Sequence, residues 1–201
     1  MAGSDARIYA GLEILTNRAS EESYTTARVA RGYAAQYLSA GADAVYLFNY
    51  FQNPNEPDEN LREIYNTCGS LGTLQNKARR HIVTFQDIAP NGVEKFRPLP
   101  VKVTKTTPQS ILVHTGAVNA EELTIYLGAS TGELQVYLNG KPCEALGRAA
   151  LPEGDQADYL REPAELYAWR AAGPFPGGAQ CVQIASGALK NAVISYVEID
   201  I

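Results

Sequence analysis

The hydrophobic pattern changes character part-way along the chain. Residues 7–15 read RIYAGLEIL, a short apolar, β-prone run bounded by polar residues, which predicts a buried strand. TNRAS follows as a loop. Ser20 suits a helix N-cap, and Glu21 and Glu22 put negative charge in the first turn, where the helix macrodipole favours it. Tyr24, Ala27, Ala30, Ala34, Tyr37 and Leu38 then recur at three- and four-residue spacing, predicting one apolar helical face, and Gly41 is placed to end the helix. ADAVYLFNYF is almost continuously apolar, as expected of a parallel strand covered on both faces. After the loop QNPNEPDEN, a second helix is expected from 61 to about 74. Strand, helix, strand, helix with short joints is a βαβα pattern.

Beyond about residue 79 the pattern shortens. HIVTFQDIAPNGVEKF, PLPVKVTK, ILVHTG, ELTIYLGAS, ELQVYLNGKP, QCVQIASG and AVISYVEIDI are β-prone runs punctuated by Pro and Gly. Several alternate, as Val193, Ser195, Val197 and Ile199 do against Ile194, Tyr196, Glu198 and Asp200. Asn139-Gly140 is a strong hairpin signal. This texture predicts an antiparallel β-sandwich or jelly-roll. Residues 148–178 form a long excursion interrupted by Pro and Gly and contain a loop.

Composition narrows the function classes. The 201 residues suit one domain or two small ones, and the net charge of -5 without a Lys/Arg cluster argues against a nucleic-acid partner. The longest apolar run, 42–51, is too short to span a bilayer, so no membrane partner is expected. Residues 1–6 are small and polar and show no signal peptide; a soluble bacterial protein is expected, its compartment open. Cys68, Cys143 and Cys181 form no CxxC pair, so a disulfide framework is not expected, although a Cys143–Cys181 bridge stays open. With two isolated histidines, His81 and His114, no metal site is expected. No GxSxG, GxGxxG or GxxxxGK[ST] motif occurs, so neither a hydrolytic triad nor any cofactor is expected.

One stretch carries more specific information. Gly41-Ala42-Asp43 is followed by Tyr46-Leu47-Phe48-Asn49-Tyr50-Phe51 and, after the loop, by Leu61-Arg62-Glu63-Ile64. This resembles the last helix–strand step of bacterial glycoside-hydrolase-like (β/α)8 barrels, in which an accessory β-sandwich commonly follows. The resemblance implies an α/β plus all-β chain: a partial (β/α)8-barrel segment comprising the last two βα units over 1–80, and an antiparallel β-sandwich over 81–201. Residues 7–15 then fall where strand seven would be.

The chemistry implied by the resemblance centres on Glu13. It is the carboxylate inside RIYAGLEIL, near the C-terminal end where barrel active sites lie, and it occupies the nucleophile position of retaining glycosidases. The alternative is a rim residue, paired or solvated. Asn49 and Tyr50, at the end of the next strand, are candidates to hydrogen-bond or stack on a sugar, whereas Tyr46 and Phe48 fit better as core. Trp169, with Tyr167, Phe175 and Arg170, is a candidate sugar platform or a plug at one end of the sandwich. A glycosidase also needs a second carboxylate. Asp43, Glu56, Asp58 and Glu59 are the nearest in sequence, and none obviously faces Glu13. The expected function is therefore a fragment related to glycoside hydrolases with weak, altered or lost hydrolase activity. The alternative is a carbohydrate-binding or structural β-sandwich module without catalysis. The expected partners are a carbohydrate or other small-molecule substrate and further copies of the chain, because two βα units leave apolar barrel strands exposed.

Overall fold

A computed structural model describes residues 5–13, 25–48, 50, 58–83, 98–150, 165–187 and 191–201. The first elements are β1 (Tyr9–Glu13), α1 (Ala27–Ser39), β2 (Ala44–Phe48), α2 (Asp58–Thr67) and α3 (Leu71–Leu74). Ten strands follow among the described residues: β3 (Arg80–Val83), β4 (Val101–Val103), β5 (Gln109–Gly116), β6 (Glu122–Ala129), β7 (Leu134–Leu138), β8 (Lys141–Pro142), β9 (Glu144–Arg148), β10 (Glu165–Ala172), β11 (Gly178–Ser186) and β12 (Ala192–Asp200).

The expected α/β partial barrel is overturned. Among the described residues the only parallel pairing is β1 with β2, and the protein is mostly antiparallel β-sheet with no closed sheet. The strand that follows α3 does not extend the parallel pair. It turns away and joins β12 antiparallel, with Arg80 opposite Asp200 and Val83 opposite Val197. The physical reason lies in RHIV itself. Arg80 is fully buried, and its charge is met by Glu198 of β12 through two hydrogen bonds, Nε to Oε1 at 2.7 Å and Nη2 to Oε2 at 2.6 Å. Ile82 packs with Val29 of α1 and Tyr196 of β12. β3 is therefore committed to the large sheet by its charge and its apolar side chain, and the division at 80/81 falls within it.

The large sheet runs β3-β12-β6-β10-β9, with β4 pairing along β12 beside β3, and the smaller sheet runs β5-β11-β7-β8. All these pairings are antiparallel. Alternating residues from both sheets meet in one core that includes Ile125, Leu127, Val182, Ile184, Ile194 and Ile199. The hairpin read from Asn139-Gly140 is present: φ is 52° at Asn139 and 81° at Gly140, as a primed turn requires, and it joins β7 to β8. Cys68, Cys143 and Cys181 are all free thiols.

α1 lies between two cores. One face, with Ala30, Ala34 and Ala35, packs against Leu12, Ile64 and Leu74. Another face rests on the outer surface of the large sheet. There Gly32 lets the helix approach β3 so closely that an added Cβ would sit 1.9 Å from the Arg80 carbonyl oxygen. Arg28 pairs with Asp200, and Arg31 pairs with Glu63 while its Nε donates to the Ala78 carbonyl at 2.7 Å. The helix begins later than its charge pattern suggests. Thr26 is the N-cap, accepting from the Val29 N–H, and Ser20 lies outside the described residues. The second predicted helix is two, α2 and α3, separated at Gly69-Ser70, where Ser70 caps α3 in a reciprocal box with Thr73.

Candidate functional site

β1 and β2 have two unlike faces, set by the alternation of the strand. Ala10 and Leu12 of β1, with Val45 and Leu47 of β2, turn toward the helices, where Leu12 is buried. Tyr9, Gly11 and Glu13, with Tyr46 and Phe48, share the other face, and the ladder sets Gly11 opposite Tyr46 and Glu13 opposite Phe48. On that face Tyr9, Tyr46 and Phe48 are 58 %, 54 % and 45 % exposed. The Tyr46 and Phe48 rings are tilted at 51° with centroids 6.2 Å apart. Gly11, without a side chain and with open space where a Cβ would stand, leaves a shallow floor beside them.

Glu13 is held at the C-terminal end of this face by its backbone. Its carbonyl accepts from Thr25 Oγ1 at 3.0 Å and from the Tyr50 hydroxyl at 3.4 Å. Thr25 directly precedes the α1 cap, so the strand end and the helix start are tied to one point. The structure thus brings two sequence-predicted site residues together, Glu13 and Tyr50. It places Tyr50 differently from a sugar-stacking ring: its side chain is buried in the helical core, and the hydroxyl supports the strand end. Asn49 lies outside the described residues. Trp169 is remote from this site, buried in the sandwich core beside Tyr167.

The candidate second carboxylates do not converge on Glu13. Asp43 stands at the opposite end of the strands, where its carboxylate accepts from the Ile8 N–H at 2.7 Å. Five residues of extended chain separate positions 43 and 48, roughly 16 Å. Glu59 is exposed on α2, and the side chains of Glu56 and Asp58 lie outside the described residues. Other nucleophiles are quiet. Burial pushes the Cys68 thiol up to about 11 and raises Cys143 as well, so neither is a ready thiolate. Among the described residues no group of three or more His, Cys, Asp or Glu side chains is placed to hold a metal ion, and no helix is long and apolar enough to cross a membrane.

The exposed rings are what the sequence reading missed. The near-continuous apolar run of ADAVYLFNYF predicts cover on both faces, yet β2 is covered on one. The available signal is chemical: every aromatic of the two strands, Tyr9, Tyr46 and Phe48, faces outward, whereas the inward positions are the aliphatic Ala10, Leu12, Val45 and Leu47. No protein-family model matches the chain, and no curated protein matches it significantly.

Proposed function

We propose that the chain handles carbohydrate on the outward face of β1 and β2, as a glycoside-hydrolase-related protein whose own hydrolytic activity is weak or lost. The carrying observation is the exposed row of Tyr9, Tyr46 and Phe48 with Glu13 on the same face. Pyranose rings have apolar faces and hydroxyl rims. Exposed aromatic rings accept the former, and a carboxylate accepts hydrogen bonds from the latter. The floor at Gly11 gives a ring room to lie flat. Hydrolysis of a glycoside needs two carboxyl groups about 5–10 Å apart. Glu13 supplies one, and Asp43, at the far end of the strands, is too distant for the other. Binding is therefore the activity this face supports by itself.

The test is affinity electrophoresis of the purified chain through soluble polysaccharides, beside a hydrolysis screen on chromogenic glycosides. Retardation is expected with at least one polysaccharide. Tyr46→Ala or Phe48→Ala should weaken it about 10-fold each, the loss of roughly 1.4 kcal/mol of ring contact. Glu13→Gln should abolish any hydrolysis while leaving most of the retardation. Migration unaffected by every polysaccharide, or retardation indifferent to both aromatic variants, would reject this reading.

A further inference from the structure

A cavity of about 700 Å³ opens between the end of α1, α3, the residues 75–79 that lead into β3, and the β5–β6 connection. That volume falls within the ~300–1,000 Å³ of small-ligand sites. Its walls are mainly apolar, with Ala35, Leu71, Leu74 and Ala120 contributing, and Lys77 and Asn119 supply polar groups. The unusual member is Arg79.

Arg79 is only 8 % exposed, and among the described residues no carboxylate pairs with it. Its partners are neutral acceptors. Nε donates to His81 Nε2 at 3.1 Å, and Nη2 donates to the carbonyl of Ala117, which also lines the cavity. The backbone is fixed too, since Arg79 and Ile201 exchange N–H···O bonds of 2.9 Å. His81 is itself buried, with Nδ1 lacking a hydrogen bond of good geometry. Desolvation, helped by the neighbouring guanidinium, lowers its pKa to about 3, so its ring is neutral and able to accept. The guanidinium is thus oriented on two edges without being neutralised, and Nη1 is left with no partner among the described residues. The neighbouring buried arginine, Arg80 at the start of β3, has its own carboxylate. Buried charges are normally paired, and one that is oriented but unpaired beside a cavity is a receptor for an opposite charge.

We propose that this cavity binds a small organic carboxylate, its single negative charge on the Arg79 guanidinium and its apolar body against Leu71, Leu74 and Ala120. One guanidinium matches one negative charge, and the apolar walls favour a monoanion with a hydrocarbon portion over a strongly hydrated ion. In this arrangement His81 is a positioning residue that holds the fork.

The test is a titration of the full chain with benzoate, read by amide NMR, with benzyl alcohol as the neutral ligand of the same shape. Benzoate is expected to give saturable shifts at residues around the cavity and to bind at least 10-fold more tightly than benzyl alcohol. Arg79→Gln should cut benzoate affinity by about 10- to 100-fold, to the level of the alcohol. Ala120→Phe leaves Arg79 in place, fills the cavity and should abolish binding, which keeps the test decisive where Arg79→Gln fails to fold. Absence of saturable shifts, equal affinity for the two ligands, or full binding by Ala120→Phe would overturn the proposal.

Discussion

Replacing Gly32 by alanine sets helix propensity against packing, because the two act in opposite directions. In a helix interior alanine is favoured over glycine by about 1 kcal/mol. At position 32 the new methyl would lie 1.9 Å from the Arg80 carbonyl oxygen and 2.8 Å from its carbon, where ordinary contact starts at 3.4 Å. The obstructing atoms are backbone, so no rotamer change relieves them, and α1 and β3 would have to part by roughly 1.5 Å. The surfaces that separate carry the Val29, Ile82 and Tyr196 contacts and the Arg28–Asp200 pair. A radial gap of ~0.5–1 Å already forfeits a quarter to a half of the dispersion energy, and overpacked sites lose about 1–3 kcal/mol or more. Set against the propensity gain, a net loss of about 2 kcal/mol is expected for G32A. Urea unfolding followed through the fluorescence of buried Trp169 measures it. Gly72→Ala is the control. Its methyl meets only Ser70 Oγ at 3.7 Å, so that variant should be as stable as the parent or slightly more so. A G32A protein no less stable than the parent would refute the close docking of α1 on β3.

Two further outcomes test the buried charges. Glu198→Gln leaves Arg80 buried without its carboxylate and should cost about 3–5 kcal/mol, whereas Arg80→Met with Glu198→Leu should recover most of that loss. An Arg80/Glu198 double-mutant cycle in urea checks the coupling, and additive effects would mean the pair is not joined as described. His81 sets an acid limit. Desolvation lowers its pKa to about 3 from an ordinary 6.5, so on acidification the unfolded chain binds the proton first. The stability it contributes is complete above about pH 6.5 and is lost as pH falls toward 3, at ~1.4 kcal/mol per unit. Asp200 works in the opposite direction, since burial raises its pKa despite Arg28, so comparison with His81→Gln isolates the histidine. Between pH 6.5 and 4 the stability of the parent should fall more steeply than that of the variant. Parallel curves would reject the assignment.

The sequence made the antiparallel half legible because its signals are local. Asn139-Gly140 names its own turn, and the short alternating runs name their faces. Glu13 at the end of β1 and the β1–α1–β2 unit were legible for the same reason. What escaped was every feature decided at long range. RHIV reads like any apolar strand until Arg80 finds Glu198, 118 residues away, and that pairing diverts β3 from the parallel sheet. Tyr46 and Phe48 look like core in sequence, and only the one-sided cover of β2 exposes them. The Arg79 cavity had no signal in the sequence, because an arginine is unusual only once its surroundings lack an acid.

The position of β12 bears on how the protein is made. It lies in the interior of the large sheet, between β6 on one side and β3 with β4 on the other, yet it follows all of them along the chain. On the ribosome, β3, β4 and β6 therefore emerge before the strand that joins them. Until then the Glu198 carboxylate that meets Arg80 has not been made, and α1 has no finished surface to rest on. Completion of this sheet waits on synthesis of β12, so premature termination shortly before it would release a chain with unsatisfied strand edges, a substrate for proteolysis rather than a smaller folded protein.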